Sequence, residues 1–285
     1  MCEAQKCKRR TLSYQDYTVG WICALDIELA VAKATLDEIH AVLPCQKLDT
    51  NTYILGRIDS HNVVIARLPT GTYGATAAAT VVTWMLSSFW SIRFVLMVDI
   101  GGGVPFHRDI RLGDVVVSKP SKYSSGVVHK PPVTLLTALS KLRAEHIMYG
   151  SRIFEFLGDY ISPGEPDRLF RAEYKHSERP GSCNSCDELY LVNRPQKTVK
   201  SPGIHYGTIA SSTQVLRNAI ARDNPAQRDE ICCIEMEAAG VMDQVPCLVV
   251  RGISDYADTH KNDHWQGYAA TTAASYVKEL LLVIS

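Results

Sequence analysis

Acids stand at three places where an apolar segment gives way to polar residues, and glycines stand at a fourth. In "VPCLVVRGISDYADTH" (245–260) the run Leu248, Val249, Val250 leads through Arg251 and Gly252 into Ser254 and Asp255. An acid in that position is a helix cap, a salt-bridge partner or a proton donor to a substrate. "CCIEMEAAGVM" (232–242) ends an apolar segment with Glu235 and Glu237. Two carboxylates so close together on an apolar element are costly to bury unless hydrogen-bonded. They cap the helix that follows, or one of them accepts both hydroxyls of a ribose. "ALDIEL" (24–29) supplies Asp26 and Glu28. Glu28 either satisfies a helix N-terminus or acts as a base that orients and deprotonates water. "VDIGGGVP" (98–105) carries three consecutive glycines, which make a tight turn or let backbone amides approach an anion or a sugar. Its spacing is not that of a dinucleotide fingerprint, and no Gly-Lys-Ser/Thr follows to make a phosphate loop.

These groups need rigid elements to hold them. "YTVGWICAL" (17–25) reads as a strand and "IELAVAKATLDEIH" (27–40) as a helix. "YILGRI" and "NVVIARL" are two strands joined by a turn at 59–62. "GATAAATVVTWMLSS" (74–88) predicts a helix packed closely through alanines, and "IRFVLMV" (92–98) a central strand buried on both faces. "LGDVVVSKP" (112–120) is a strand closed by Pro120. From 121 to 202 prolines, charges and serines thicken into a polar insertion, in which only "PVTLLTALSKLRAEHIM" is a clear helix. Residues 162–202 read as a surface excursion with short helices. Regular structure resumes with strand "GIHYGTIAS" (203–211), helix "TQVLRNAIARD" (213–223) and strand "EICCIEM" (230–236). A short helix from Glu237, strand "PCLVVRGIS" and a last helix over 264–283 complete the chain.

The alternation predicts one α/β domain over 1–285, built as three layers with helices on both faces of a central twisted mixed sheet. Residues 1–16 are expected to form a flexible tail. In open α/β sheets substrates bind beyond the carboxyl ends of strands. That rule selects the same four places: 24–28, 99–104, 236–237 and 254–255.

Bulk composition narrows the partners. The chain has 285 residues, 46% hydrophobic and 21% charged, as an ordinary soluble globular protein does. Thirty basic and thirty acidic residues cancel, which disfavours nucleic acid and anionic membrane surfaces. The basic cluster at 6–10 is read as a solvated terminus. No apolar segment follows it as a secretory signal would require, and Leu280 to Ile284 is too short to cross a bilayer. Nine cysteines at irregular spacing then indicate reduced thiols and a cytoplasmic location. Cys183 and Cys186 form one C-x-x-C, with His176 seven residues earlier. A structural zinc takes four ligands and no second C-x-x-C exists. Free loop thiols are therefore the expectation, with no metal and no cofactor.

Taken in order, strand-ALxxE, GGGVP, IEMEAAG and RGISDYAD resemble the nucleoside phosphorylase superfamily over about 17–284. "IHYGTIAS", "EMEAAG" and "DYADTHKNDHWQGYAATTAASYVKELL" are most similar to a branch common in fungi. Those domains occur alone or at the head of longer immune-type proteins. The resemblance implies hydrolysis of the N-glycosidic bond of a purine, adenine-type, nucleoside or nucleotide. Asp255 would protonate or hydrogen-bond purine N7, and Ser254 would orient it. Glu237 would hold the ribose 2′- and 3′-hydroxyls with Met236 packed under the sugar, and Glu28 would activate water. Gly101 and Gly102 would lie against the substrate, and the loop carrying Ser211, Val215 and Leu216 would contact the base. An oxocarbenium-like sugar and a leaving purine need such an acid, whose contribution is roughly 10²–10⁴-fold.

Phosphorolysis is the alternative chemistry, with Arg67, Arg93 and Arg108 as candidate phosphate holders. The same arginines are candidates for a substrate 5′-phosphate. A catalytically silent nucleoside- or nucleotide-sensing module is the third reading. Asp99 stands where related loops carry a small residue, and its charge would repel phosphate or perturb the sugar site. Ser212 stands where a glycine is common, and a positive φ there would strain it. Asp258 is expected to be a structural cap. The resemblance also implies a homo-oligomer, dimeric or higher.

Overall fold

Strand β1 (Val19–Cys23) sorts its side chains alternately onto two cores, as a period of two requires. Val19 and Trp21 face one core and Ile22 the other. The pattern repeats in β5 (Phe94–Gly103) and β9 (Cys247–Asp255), where Leu96, Val98, Leu248 and Val250 oppose Val95, Met97, Cys247 and Val249. Both faces are buried because β5 runs parallel to β1 and to β9 with helices on each side. The computed structural model describes residues 9–44, 46–119, 131–157, 165–176, 183–197, 201–227 and 229–284.

Helices α1 (Asp26–Ala34), α3 (Val133–Tyr149), α4 (Ile153–Phe156) and α7 (Gln266–Val283) pack on the Val19–Trp21 face. Helices α2 (Ala75–Ser88) and α6 (Ala238–Met242) cover the other. Between them lies a mixed sheet ordered β2 (Glu38–Ile39), β3 (Tyr53–Ile58), β4 (His61–Arg67), β1, β5, β8 (Ile231–Glu235), β7 (Ile204–Ser211), β6 (Val115–Ser118), β9. Because β9 also pairs with β5, the last five strands close on themselves. A small separate core of Ile110, Val116, Cys232, Cys233 and Ile253 forms within this part. Helix α5 (Ala219–Ala226) packs beside β8.

The three glycines do not make a tight turn. They extend β5, whose Gly102 and Gly103 pair antiparallel with β8 while a register shift falls between Gly101 and Gly102 on the β9 side. A Cβ on Gly102 would stand 2.8 Å from that of Ala257 and 3.0 Å from Asp255 Oδ1. At Gly252 a Cβ would overlap the Ala269 carbonyl, so only glycine lets α7 lie this close to β9.

Three elements differ from the sequence reading. The helix from 27 ends at Ala34, and Glu38–Ile39 join the sheet instead. Asp37 N donates to Arg57 O and His40 N to Leu55 O, both at 2.8 Å, so pairing with β3 overrides helix propensity. Of 213–223 only the part from Ala219 is helical, started by Asn218, whose side chain accepts from Ala221 N at 3.2 Å. The N-terminal stretch from residue 9 lies on the body: Arg10 O accepts from Ala41 N at 2.8 Å, and the Tyr14 ring sits 5.3 Å from that of Phe89. Residues 1–8 of the expected tail, Pro120, and residues 121–130, 158–164, 177–182 and 198–200 of the insertion lie outside the described residues. No described helix is long and apolar enough to cross a membrane.

Candidate active site

The ends of β1, β5, β8 and β9 converge on one cavity of about 250 Å³. It brings together Gly101, Gly102, Val215, Leu216, Met236, Glu237, Ser254 and Asp255. Tyr73, Asp99, Gln214, Lys261 and Gln266 also line it. Glu28 and Ser211 do not line it, and neither do Arg67, Arg93 or Arg108.

Asp255 closes β9 and is buried. Its Oδ1 accepts from Ala257 N at 2.8 Å, and its Oδ2 receives Ser254 Oγ at 3.0 Å and Lys261 Nζ at 2.6 Å. The turn that brings Lys261 back passes through Ala257 at φ 51°, a left-handed conformation that costs a non-glycine residue about 1–3 kcal/mol. The turn is held by Asn218 N donating to Ala257 O at 3.1 Å and by Asp258 Oδ1 accepting from His260 N at 2.8 Å. Asp258 thus closes a local loop and does not line the cavity.

The two glutamates after β8 divide the possible roles between them. Glu235 Oε2 accepts from the amides of Glu237 (2.9 Å) and Ala238 (2.7 Å), satisfying the start of α6, and it pairs with Arg251. Its Oε1 takes the Ser211 hydroxyl, whose oxygen in turn accepts from Ala239 N at 3.1 Å. Ser211 therefore braces a helix start beneath the cavity. Both glutamates line the cavity, but Glu237 caps no helix, accepting from Gly74 N at 3.2 Å and Met236 N at 3.1 Å. Burial pushes its carboxyl up to about 7, helped by the charge of Asp99 and opposed by Arg251.

On the other side Glu28 does the capping. Its Oε2 accepts from Ala24 N (2.9 Å) and Leu25 N (2.7 Å), and its Oε1 reaches across to Ile100 N at 3.0 Å. Asp99 stands in front of it, buried and on the cavity wall. Burial first, then the Glu28 charge and a hydrogen bond with Glu28, hold the Asp99 carboxyl well above the usual carboxylate range. Arg251 offsets this acid cluster. It is wholly buried, its Nη1 is 3.0 Å from Asp99 Oδ2, and it also pairs with Glu235, whose charges hold its proton firmly despite burial.

Sequence reasoning missed Arg251 and took Asp99 for a misfit. The available signal was an arginine inside an apolar strand, which folds only if acids meet it. Lys261, Tyr73, Gln214 and Gln266 carried no periodicity to mark them. Among the candidate phosphate holders, Arg67 pairs with Asp26 at 2.7 Å, Arg108 donates to Tyr206 O at 2.9 Å, and Arg93 is exposed. Ser212 is not strained, since its backbone is not left-handed. Its amide donates to Glu235 O at 2.7 Å and its hydroxyl to Gln214 O at 2.8 Å.

Convergent strand ends, a mixed sheet closed on one side and an acid-lined cavity agree with what residues 18–282 match, the Phosphorylase superfamily; the chain belongs to that family. Its relatives sharpen the picture. It is 41% identical, over 98% of its length, to an NLR-like (nucleotide-binding leucine-rich repeat) protein of Hyaloscypha variabilis, of which it spans 30%. It is 25% identical to the 5′-methylthioadenosine/S-adenosylhomocysteine nucleosidase of Mycobacterium bovis, covering 94% of this chain and 96% of that protein. It is 27% identical to the ATP nucleosidase Cap17 of Escherichia coli over 91% of this chain and 50% of that one. Among solved structures, the methylthioadenosine/S-adenosylhomocysteine nucleosidase of Helicobacter pylori shares the fold at a TM-score of 0.61, with 16% identity over 93% of this chain and 98% of that one.

Proposed function

We propose that the chain hydrolyses the N-glycosidic bond of an adenine-type purine nucleoside or nucleotide, releasing the base and the ribose moiety. The observation that carries this reading is the cavity wall: Asp99, Glu235, Glu237 and Asp255 line it with one lysine, Lys261, already paired to Asp255, and no arginine among the described residues does. Acids that outnumber the one paired cation disfavour phosphate and suit a developing cationic sugar. Asp255, oriented by Ser254, hydrogen-bonds purine N7 as the base leaves, and Lys261 must yield or share the Oδ2 position it now holds. Ionised Glu237 accepts the ribose 2′- and 3′-hydroxyls, with Met236 beneath the sugar and Gly101 and Gly102 along it. Val215 and Leu216 pack on the base.

The base that activates water is the Glu28–Asp99 pair. Burial and the neighbouring Glu28 charge raise the Asp99 carboxyl well above the usual carboxylate range, which makes it the stronger base toward a water in the cavity. Glu28 thereby acts from behind Asp99. Ser211 acts through Glu235 and is a positioning residue.

The test is incubation with adenosine, inosine, guanosine, methylthioadenosine, AMP and ATP, with and without phosphate, followed by chromatography. Adenine release that is independent of phosphate supports the proposal, and the substrate cleaved fastest defines the 5′ group. Strict phosphate dependence with ribose 1-phosphate as product overturns it. Binding without release from any of the six would make the chain a sensor instead.

A further inference from the structure

Away from the cavity the fold gathers a second constellation that none of this chemistry uses. Residues 183–185 form a 3₁₀ turn in which Cys186 N donates to Cys183 O at 3.2 Å, setting both thiols of the C-x-x-C on one short bend. Opposite them comes His176, fixed by its amide donating to Thr259 Oγ1 at 2.9 Å. One donor atom of each of His176, Cys183 and Cys186 lies within 4.8 Å of those of the other two. Donors around a single tetrahedral zinc are separated by roughly 3.5–3.8 Å, given metal–nitrogen and metal–sulfur bonds of about 2.1 and 2.3 Å. The three need only close in slightly.

The fourth donor was invisible in the sequence because it is 74 residues beyond Cys186. The His260 ring is 5.4 Å from the His176 ring, centre to centre and edge-on, close to the spacing of roughly 5 Å that two imidazoles on one ion adopt. His260 is buried, and neither of its ring nitrogens has a hydrogen-bond partner among the described residues, the nearest acid being Asp258, whose Oδ1 stands 3.6 Å from Nδ1. A buried imidazole so placed is costly unless something occupies it. Cys183 already reaches this loop, with Sγ 3.9 Å from His260 O. Phe170 and Tyr174 stack on the His260 ring at 4.2 and 5.5 Å and hold its plane.

We propose that His176, Cys183 and Cys186, completed by His260, bind a zinc ion. Two thiolates and two imidazoles are a donor set that selects a soft-tolerant, tetrahedral divalent ion and leave it with no net charge to bury. The ion clasps the stretches around His176 and around Cys183–Cys186 to the 256–262 loop. That loop carries Lys261, the partner of Asp255, so the clasp positions one wall of the cavity without touching substrate. This proposal departs from the expectation of free loop thiols and no metal.

The test uses the full chain produced in zinc-supplemented medium. Elemental analysis is expected to find about one zinc per chain, and Cys186→Ser and His176→Ala to weaken retention on the order of 100-fold. Apo protein titrated with Co²⁺ is expected to show a thiolate-to-cobalt charge-transfer band that Cys186→Ser weakens. A chelator is expected to lower the melting temperature of the wild type and leave that of Cys186→Ser unmoved, with far-ultraviolet circular dichroism checking that both are folded. Wild type that takes up neither zinc nor cobalt overturns the proposal. So does equal metal retention in the folded variants, or isolation of the native protein with a Cys183–Cys186 disulfide.

Discussion

The two sides of the cavity solve one problem in the same way and end in different electrostatics. At the end of β8, Glu235 caps a helix, and Glu237, two residues on, stands on the cavity wall without capping one. After β1, Glu28 caps a helix, and within β5 Asp99 faces the cavity. Arg251 lies between, pairing with the capping acid on one side and the cavity acid on the other. Asp99 is therefore locked into a carboxyl pair behind an ion pair. Glu237 is held only by two backbone amides and is free to change protonation near neutrality. An acid at a strand end becomes a cap or a working group according to which amides its neighbour has already satisfied.

Breaking the shared element should have the largest effect. Arg251→Met leaves Asp99 and Glu235 buried without their cation, and urea denaturation is expected to show a loss of about 3–5 kcal/mol. A loss under about 1 kcal/mol would mean that the acids tolerate each other without it. Glu237→Gln keeps the shape but gives up charge-assisted acceptance of two hydroxyls, so kcat/KM is expected to fall on the order of 100-fold with little change in stability.

The raised value of Glu237 sets a pH signature. Its carboxyl, normally near 4.5, keeps its proton up to about 7, so kcat/KM is expected to fall as pH drops through about 7. Stability runs the other way. The folded state holds a proton that the unfolded chain releases near 4.5, so this stabilising contribution is present at low pH and is lost as pH rises from 4.5 to about 7. Glu237→Gln is expected to abolish both trends, and persistence of the activity inflection would assign it to another group. The smallest effect falls on the brace: Ser211→Ala removes the hydroxyl between Glu235 and Ala239 N and is expected to cost about 1 kcal/mol, read by thermal melting.

Much of this was legible before any coordinates. The continuous apolar runs of β5 and β9 and the alternation onto two cores follow from side-chain period alone, and the strand-end rule located the four corners of the cavity. The failures share a cause in long-range pairing. Glu38–Ile39 has helix formers around it but a sheet edge to satisfy. Asp99 reads as a misfit until Arg251 is found beside it, two strands being needed to see the pair. Ser211 is at the right strand end, yet its hydroxyl is taken by Glu235. The contact between the His176 and His260 rings, on which the zinc proposal draws, likewise joins residues far apart in sequence.

The central claim is that an acid at the end of β9 drives departure of a purine whose sugar is attacked by water. Its most direct measurement is purine release by wild type and by Asp255→Asn, on the best-cleaved substrate in phosphate-free buffer. The wild type should release base at a rate that added phosphate does not raise. The variant should be slower by roughly 10²–10⁴-fold while far-ultraviolet circular dichroism shows it folded. Near-normal turnover in Asp255→Asn, or no release until phosphate is supplied, would contradict the account.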